Sequence, residues 1–317
     1  MKGRKKTITI TGGSGYVGGI LRSGLRRQGY NIEIFDTMKG FLVDTLRRRY
    51  LGSSPLRLSR FLAPKIRHTL TRAERLLVNT GVIRPASDNI LDPPARLVER
   101  FRNSYAVIHL AAIPHPHVPG MTAADFRRIN YEGSVNVFEA ARAAGVEKFL
   151  FSSSAQVYNI NNPTYIEQFP VLETNYLPTI EEGQNSYGFY KGEFERYLSQ
   201  RCTGEGIEAV AFRLEYPGIR SVYPWNYYIS TSVENTVSGF VQGLETDIST
   251  GFDVFNLADQ YVDEKIVDMQ EFLKTHWPGI PNYTTGNECI LSTEKARRVL
   301  GYEPKPGGTY YSGSVIW

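Results

Sequence analysis

A glycine-rich turn at residues 12–19 joins a short strand to an amphipathic helix near the amino terminus. The alternating apolar pattern of residues 7–11 predicts the strand, and residues 20–28 predict the helix. Three glycines of the turn have the spacing of a dinucleotide-binding motif: Gly12, Gly15 and Gly18. They allow a tight turn, close approach of the backbone to a pyrophosphate, and close packing of helix on strand. A strand, turn and helix of this kind predict a parallel α/β sheet of the doubly wound Rossmann type.

A second strand, Asn31 to Phe35, ends at Asp36. An acid at this distance from the glycines holds ribose hydroxyls in dinucleotide-binding folds, and its charge repels a 2′-phosphate. Asp36 therefore favours NAD over NADP, although a solvated turn residue is the alternative interpretation. We expect further cofactor contacts from residues in the glycine turn and near the ends of later strands: Tyr16, Val17, Asn89, Ile90, Leu110, Ala111, Ala112 and Ser152.

The segment from Phe149 to Lys191 carries the candidate chemistry. A short apolar run leads into small polar residues that end at Ser154, which predicts a buried parallel strand with hydroxyls at its carboxyl end. Tyr187 and Lys191 are four residues apart on a predicted helix and so share one face. A tyrosine with a pKa of about 10 becomes a better base when a cation favours its phenolate. Ser154 can then hold a substrate oxygen while Tyr187 transfers its proton.

Oxidation of an alcohol also removes a hydrogen from carbon as hydride, and no side chain accepts hydride. The proposed chemistry therefore requires a nicotinamide cofactor. Tyr-x-x-x-Lys alone is a weak pattern in a chain with 20 tyrosines, so the function rests on its combination with the glycine turn.

Composition sets the remaining bounds. The chain has 317 residues, of which 41% are hydrophobic, and only two cysteines, which favours a globular protein of a reducing compartment. His115 and His117 lie among prolines without a matching acid or cysteine cluster, so we predict a loop and no metal site. The sequence shows neither a signal peptide nor an apolar run of membrane-spanning length, and we expect a cytoplasmic protein.

Residues 41–84 form a basic insert between the predicted second strand and the rest of the sheet. This insert contains ten Lys or Arg residues against two acids. Apolar residues at helical spacing predict an amphipathic helix with a solvated basic face. A lid or docking surface for an anionic partner is the sharper hypothesis.

Six segments, including the glycine turn and the Tyr187–Lys191 stretch, resemble a known family. They are TGGSGYVGG at 11–19, VIHLAA at 107–112, NYEGSVNVFEAARAAGVEKFLFSSSAQVY at 130–158, YGFYK at 187–191, FNLADQ at 255–260 and STEKARRVLGYEP at 292–304. Together they resemble the extended short-chain dehydrogenases/reductases, which include sugar epimerases, dehydratases and dehydrogenases. The resemblance implies that Ser154, Tyr187 and Lys191 are the catalytic set. It also implies that Lys191 contacts the nicotinamide ribose and that Asn130 supports the active-site helix.

Two departures from the family pattern bear on the substrate. Ala155 and Gln156 stand where sugar 4,6-dehydratases place an acidic pair, which makes dehydration improbable. Arg213 is followed by Leu214, Glu215 and Tyr216 without the asparagine of many nucleotide-sugar enzymes, and the segment after it is short. This region is similar to that of uronate and aldose dehydrogenases. We expect substrate contacts from four residues: Ser154, Gln156, Arg213 and Tyr216.

The expected function is NAD-dependent oxidation of a secondary alcohol on a sugar or nucleotide sugar, by an epimerase or a dehydrogenase. One alternative is a free-sugar dehydrogenase that releases NADH. A second is a non-catalytic NAD-sensing protein that uses the basic insert. We expect residues 1–212 to form the NAD-binding domain and residues 213–317 to form mainly the substrate region, with strand 252–257 returning to the sheet. Helices at 125–144 and 187–200 are expected to pair two subunits of a homodimer.

Overall fold

The computed structural model describes residues 5–37, 88–183, 185–204 and 206–311. The predictions for the basic insert at 41–84 lie outside these residues.

The described residues form one six-stranded sheet in which every paired strand is parallel. The strands are β1 Thr7–Thr11, β2 Asn31–Phe35, β3 Ala106–His109, β4 Lys148–Ser154, β5 Glu208–Leu214 and β6 Phe252–Leu257. Their order across the sheet is β2-β1-β3-β4-β5-β6. The predicted doubly wound α/β fold is confirmed.

Helices cover both faces of the sheet. They are α1 Tyr16–Arg27, α2 Pro94–Phe101, α3 Ala123–Phe126, α4 Gly133–Ala143, α5 Ile180–Gly183, α6 Ser186–Arg201, α7 Val233–Glu245, α8 Met269–His276 and α9 Glu294–Leu300. The apolar sides of α1, α7 and α9 form one core with the sheet, and those of α2, α4 and α6 form another. Successive strand residues such as Val107 and Ile108 point into opposite cores, so β3 is apolar on both faces.

The chain reverses its direction across the sheet between β1 and β3. In open α/β sheets the crevice at such a reversal, beyond the carboxyl ends of the strands, is where ligands bind. The glycine turn follows β1 at this edge, and Ser154 is the last residue of β4. The fold therefore places the two sequence features on one edge of the sheet.

The predicted long helix at residues 125–144 is interrupted. A π-helical stretch, Arg127–Glu132, separates α3 from α4. Stretches of this kind occur frequently at functional sites because the extra residue redirects side chains. Asn130 lies inside the stretch and is fully buried.

Residues from the segments on both sides of β5 form a third apolar cluster. Its members come from the turn after β4, from residues 166–171, from α8 and from residues 289–291. This cluster supports the loops that follow β4 and β5. None of the described helices is long and apolar enough to cross a membrane.

Candidate active site

The glycine turn packs tightly against the end of β3. Gly12 has a φ of +67°, and a Cβ atom there would lie 2.8 Å from the backbone nitrogen of Ala111. A Cβ atom on Gly18 would lie 2.6 Å from Gly13. Real Cβ atoms do not approach other atoms so closely, so only glycine allows α1 to begin this near to the strands.

The amino terminus of α1 suits an anion. Gly15 precedes the helix, and no side chain caps the first turn. Backbone N–H groups at such a terminus, together with the helix dipole, bind phosphate groups. At the end of β2 the Asp36 carboxylate accepts a hydrogen bond from the Ser14 backbone N–H at 2.9 Å, which fixes the acid beside the turn. These residues fit a dinucleotide.

The other expected cofactor residues are in different surroundings. Leu110, Ala111 and Ala112 follow β3 and are partly exposed at the crevice. Asn89 is exposed, whereas Ile90 is buried in the core beside α4.

Three more expected cofactor residues are at the crevice. Tyr16 and Val17 begin α1 and are partly buried, and the Tyr16 hydroxyl donates to the Gly218 carbonyl at 3.1 Å. The Ser152 carbonyl accepts a hydrogen bond from Lys191.

Ser154, Tyr187 and Lys191 converge at the end of β4. The Lys191 ammonium lies 5.9 Å from the centre of the Tyr187 ring and donates to the Ser152 carbonyl at 2.7 Å. The Ser154 hydroxyl is close enough to Tyr187 to lower the pKa of the phenol. The structure therefore brings the three predicted catalytic residues together.

Burial shapes the ionisation of this group. It lowers the pKa of Lys191 to about 7, against the opposing effect of the Glu195 charge. Burial, reinforced by the charge of Glu215, raises the pKa of Tyr187, while the hydrogen bond with Ser154 acts in the opposite direction. A positive charge close to the Tyr187 hydroxyl would lower the pKa of Tyr187 again.

Asn130 is hydrogen-bonded to the chain before α3, which packs against Tyr187. Its side-chain oxygen accepts from the Ile113 N–H at 2.8 Å, and its amide donates to the Ile113 carbonyl at 3.1 Å. Ile113 packs with Phe126 and Tyr187 in a small apolar cluster. Asn130 thus supports the wall against which Tyr187 is held.

Gln156 connects the catalytic group to Glu215. The Gln156 amide donates to one Glu215 oxygen at 3.3 Å, and the Ser154 hydroxyl donates to the other at 3.2 Å. Asn185, which caps α6, donates to the Gln156 side chain at 3.3 Å. Gln156, an expected substrate residue, thus lies beside Ser154.

Arg213 is not brought to this group. Its guanidinium is buried, donates to both Glu195 oxygens at 2.6–3.1 Å, and also donates to the Tyr158 hydroxyl and the Glu173 carbonyl. Its charge is therefore used inside the protein instead of on a substrate. The reason is geometric: Arg213 is still within β5, facing α6, whereas the strand opens to the crevice only after Leu214.

Tyr216 lies after that opening, in an aromatic loop. Its backbone is in the left-handed region with φ of +44°, and its ring lies 6.1 Å from Tyr223, which stacks on the half-exposed Trp225. A strained non-glycine backbone is retained where surrounding structure fixes it, as at binding sites. This places Tyr216 beside Glu215 at the crevice.

The sequence reasoning missed Glu215 and Glu195. The signals were present: Glu215 is an acid directly after a buried strand, and Glu195 continues the four-residue spacing of Tyr187 and Lys191 along one helix face. Among the described residues, no three His, Cys, Asp or Glu side chains are grouped as a metal site.

Comparison with known proteins identifies a family. A model described as the NAD dependent epimerase/dehydratase family matches residues 8–217. The UDP-glucose 4-epimerase of Erwinia amylovora is 27% identical over 167 residues, covering 52% of this chain and 42% of that protein. The UDP-glucose 4-epimerase of Bacillus subtilis is 24% identical over 348 residues, covering 95% of this chain and 93% of that protein. The chain spans about half the length of the first curated relatives that it matches.

A solved structure shares the fold. The Bordetella bronchiseptica enzyme WbmG in complex with NAD and UDP matches with a TM-score of 0.60 and 19% identity. The match covers 96% of this chain and 90% of that one.

Proposed function

This chain belongs to the NAD-dependent epimerase/dehydratase family, and we propose that it oxidises a secondary alcohol of a nucleotide-linked sugar and returns hydride to the resulting ketone. The observation that carries the proposal is the meeting of Ser154, Tyr187 and Lys191 at the same end of the sheet as the glycine turn. The relatives named UDP-glucose 4-epimerase support a nucleotide sugar as substrate and epimerisation as outcome.

In this proposal each residue of the group has one role. The Ser154 hydroxyl holds the substrate oxygen, and Tyr187 takes the proton from it and later returns it. Lys191, buried beside the tyrosine ring, favours the phenolate form when it carries its charge. Asn130 and Ile113 keep the tyrosine in place.

The cofactor site is proposed on the same edge. The α1 terminus and the glycine turn would hold the pyrophosphate, and Asp36 would bind the adenosine ribose. NAD, when bound, accepts hydride from the substrate carbon. Lys191 and the residues after β3 would line the nicotinamide half.

We also propose that residues 1–212 chiefly bind NAD and residues 213–317 chiefly bind substrate.

A free-sugar dehydrogenase is the second candidate. The observation that favours it is the sequence Leu214-Glu215-Tyr216 after Arg213, which lacks the asparagine expected in many nucleotide-sugar enzymes. Such an enzyme would release NADH with each turnover, whereas an epimerase consumes its NADH internally. The two candidates therefore differ in a directly observable product.

The test is a substrate panel with the purified, NAD-loaded protein. UDP-glucose, UDP-galactose and UDP-glucuronic acid are compared with free galactose and glucuronate, using chromatography for epimers and absorbance at 340 nm for NADH. We expect interconversion of a nucleotide sugar without NADH accumulation. NADH formed from a free sugar would support the second candidate, and NAD binding without conversion of any sugar would support a sensing protein.

The assembly is a separate proposal. We propose a homodimer paired through the faces of α4 and α6 that point away from the sheet. Analytical ultracentrifugation should give about twice the mass of 35.8 kDa, and a monomer would exclude this pairing.

A further inference from the structure

Glu215 is a carboxylate that has no charged partner among the described residues. It directly follows β5, and its two oxygens accept hydrogen bonds from the Ser154 hydroxyl and the Gln156 amide. In the described part of the chain, no Lys, Arg or His forms an ion pair with it, whereas the nearby Glu195 is paired with Arg213 at 2.6 Å. A carboxylate in this environment keeps its capacity to exchange a proton.

The surroundings set the proton affinity of Glu215 near neutrality. Burial raises the pKa of Glu215 to about 7, although the hydrogen bonds from Gln156 and Ser154 oppose this effect. A general acid or base works best when its pKa is close to the working pH. Glu215 therefore suits proton transfer better than permanent charge.

Ser154 connects Glu215 to the reacting atoms. Its hydroxyl donates to a Glu215 oxygen at 3.2 Å and is close enough to Tyr187 to lower the pKa of the phenol. A substrate carbonyl held by Ser154 would have its oxygen about 2.8 Å from the hydroxyl, and the next carbon along the sugar lies about 2.4 Å from that oxygen. Glu215 is hydrogen-bonded to the same hydroxyl, so a carbon on that side of the substrate oxygen faces the carboxylate; proton transfer requires an approach of about 3–3.5 Å.

We propose that Glu215 is a second acid–base residue, which removes and returns a proton at the carbon adjacent to the carbonyl formed during turnover. The inference rests on the proposed function, because only the oxidised sugar has an acidic hydrogen at that carbon. It adds an activity at carbon to the proton transfer at oxygen assigned to Tyr187.

The step balances without any further reactant. The carbon–hydrogen bond breaks, its electron pair forms the carbon–carbon double bond of an enolate, and the carbonyl electrons move to oxygen. The proton goes to Glu215, and the hydroxyls of Ser154 and Tyr187 donate to the enolate oxygen. In the reverse step Glu215 returns the proton to carbon. If the proton on the Glu215 carboxyl has first exchanged with water, a hydrogen from the solvent is incorporated into the sugar.

The test supplies the ketone directly, so that it does not depend on the hydride step. The probe is UDP-4-keto-6-deoxyglucose, incubated in D₂O with the protein loaded with oxidised NAD, which has no hydride to give. Deuterium at the carbons beside the carbonyl is followed by NMR. We expect exchange faster than in protein-free buffer, and an approximately 100-fold loss of this enzymatic rate in Glu215→Gln at saturating probe.

Two controls make the result specific. Glu215→Asp keeps a carboxylate and should retain more exchange than Glu215→Gln. Glu139→Gln, which removes a carboxylate on the outer side of α4, should exchange at the wild-type rate. Wild-type exchange no faster than buffer, or equal rates in wild type and Glu215→Gln, would overturn the inference. Failure of the hydride step appears separately, as absent epimer formation in the substrate panel.

Discussion

Two carboxylates near the active site, Glu195 and Glu215, have opposite surroundings. Glu195, on α6, forms an ion pair with Arg213 and also accepts from Ser153. Glu215, after β5, accepts from two neutral donors among the described residues, Ser154 and Gln156. The first region is an ion cluster between sheet and helix; the second is a polar recess at the crevice.

The difference follows from the position of each group along the strand. Arg213 is in register with Ser153 inside the sheet, where a charge without a partner would be costly. Glu215 lies beyond the last paired residue, Leu214, where a ligand can approach. The Arg213–Glu195 ion pair therefore stabilises the fold, whereas the Glu215 carboxylate is available for proton transfer.

The largest effect is expected in the ion cluster. Glu195→Gln leaves the Arg213 cation buried without its counter-charge, and we expect the free energy of unfolding to fall by about 3–5 kcal/mol. Urea unfolding followed by circular dichroism measures this loss. A loss below about 1 kcal/mol would mean that the cluster is not what holds α6 on the sheet.

Ser154→Ala tests whether the Ser154 hydroxyl, next to Glu215, contributes to catalysis. Removing the hydroxyl that holds the substrate oxygen should lower kcat by about 100-fold, or about 2.7 kcal/mol in barrier height. The measurement is the epimerisation rate at saturating nucleotide sugar, with NAD content as control. If the rate is unchanged, Ser154 does not contact the reacting oxygen.

Much of this arrangement could be predicted from the sequence. The glycine turn, the strand ending at Ser154 and the Tyr187–Lys191 spacing are local patterns, and their geometry follows from strand and helix periodicity. The fold and family expectations are confirmed. The positions of Asp36 and Gln156 in the structure also agree with their expected surroundings, while their roles stay predictions.

What the sequence could not provide depends on contacts between distant segments. Whether Arg213 faces a substrate or Glu195 is decided by the register of β5 against α6, 18 residues away along the chain. The link from Glu215 to Ser154 spans 61 residues. The π-helical stretch around Asn130 also escapes a pattern based on α-helical periodicity.

Glu215→Gln should stabilise the protein at high pH, whereas Glu195→Gln should destabilise it. Because the pKa of Glu215 is raised to about 7 in the folded protein, its protonated form is favoured there. The wild type therefore loses stability as pH rises from about 4.5 through 7, whereas glutamine does not titrate. We expect Glu215→Gln to be more stable by about 1–2 kcal/mol at pH 8 and equal at pH 4.5. Urea unfolding at both pH values checks this, and a variant less stable at pH 8 would contradict it.

The smallest effect is expected at the protein surface. Glu139 pairs with Arg142 and Arg201 and accepts from the Tyr197 hydroxyl, but the site is partly open to solvent. Glu139→Gln should therefore lower the free energy of unfolding by less than about 1 kcal/mol, as measured by urea unfolding. Added salt should reduce the difference between this variant and the wild type. A cost similar to that of Glu195→Gln would remove the distinction between exposed and buried pairs.

Pre-steady-state reduction of bound NAD, compared between wild type and Tyr187→Phe, tests the acid–base role of Tyr187. Each NAD-loaded protein is mixed rapidly with excess UDP-glucose or UDP-galactose, and absorbance at 340 nm follows the transient reduced cofactor. We expect reduction in the wild type and a rate at least about 100-fold lower in Tyr187→Phe, with NAD still bound. Reduction at the same rate in both proteins would contradict the assignment of Tyr187 as the acid–base residue.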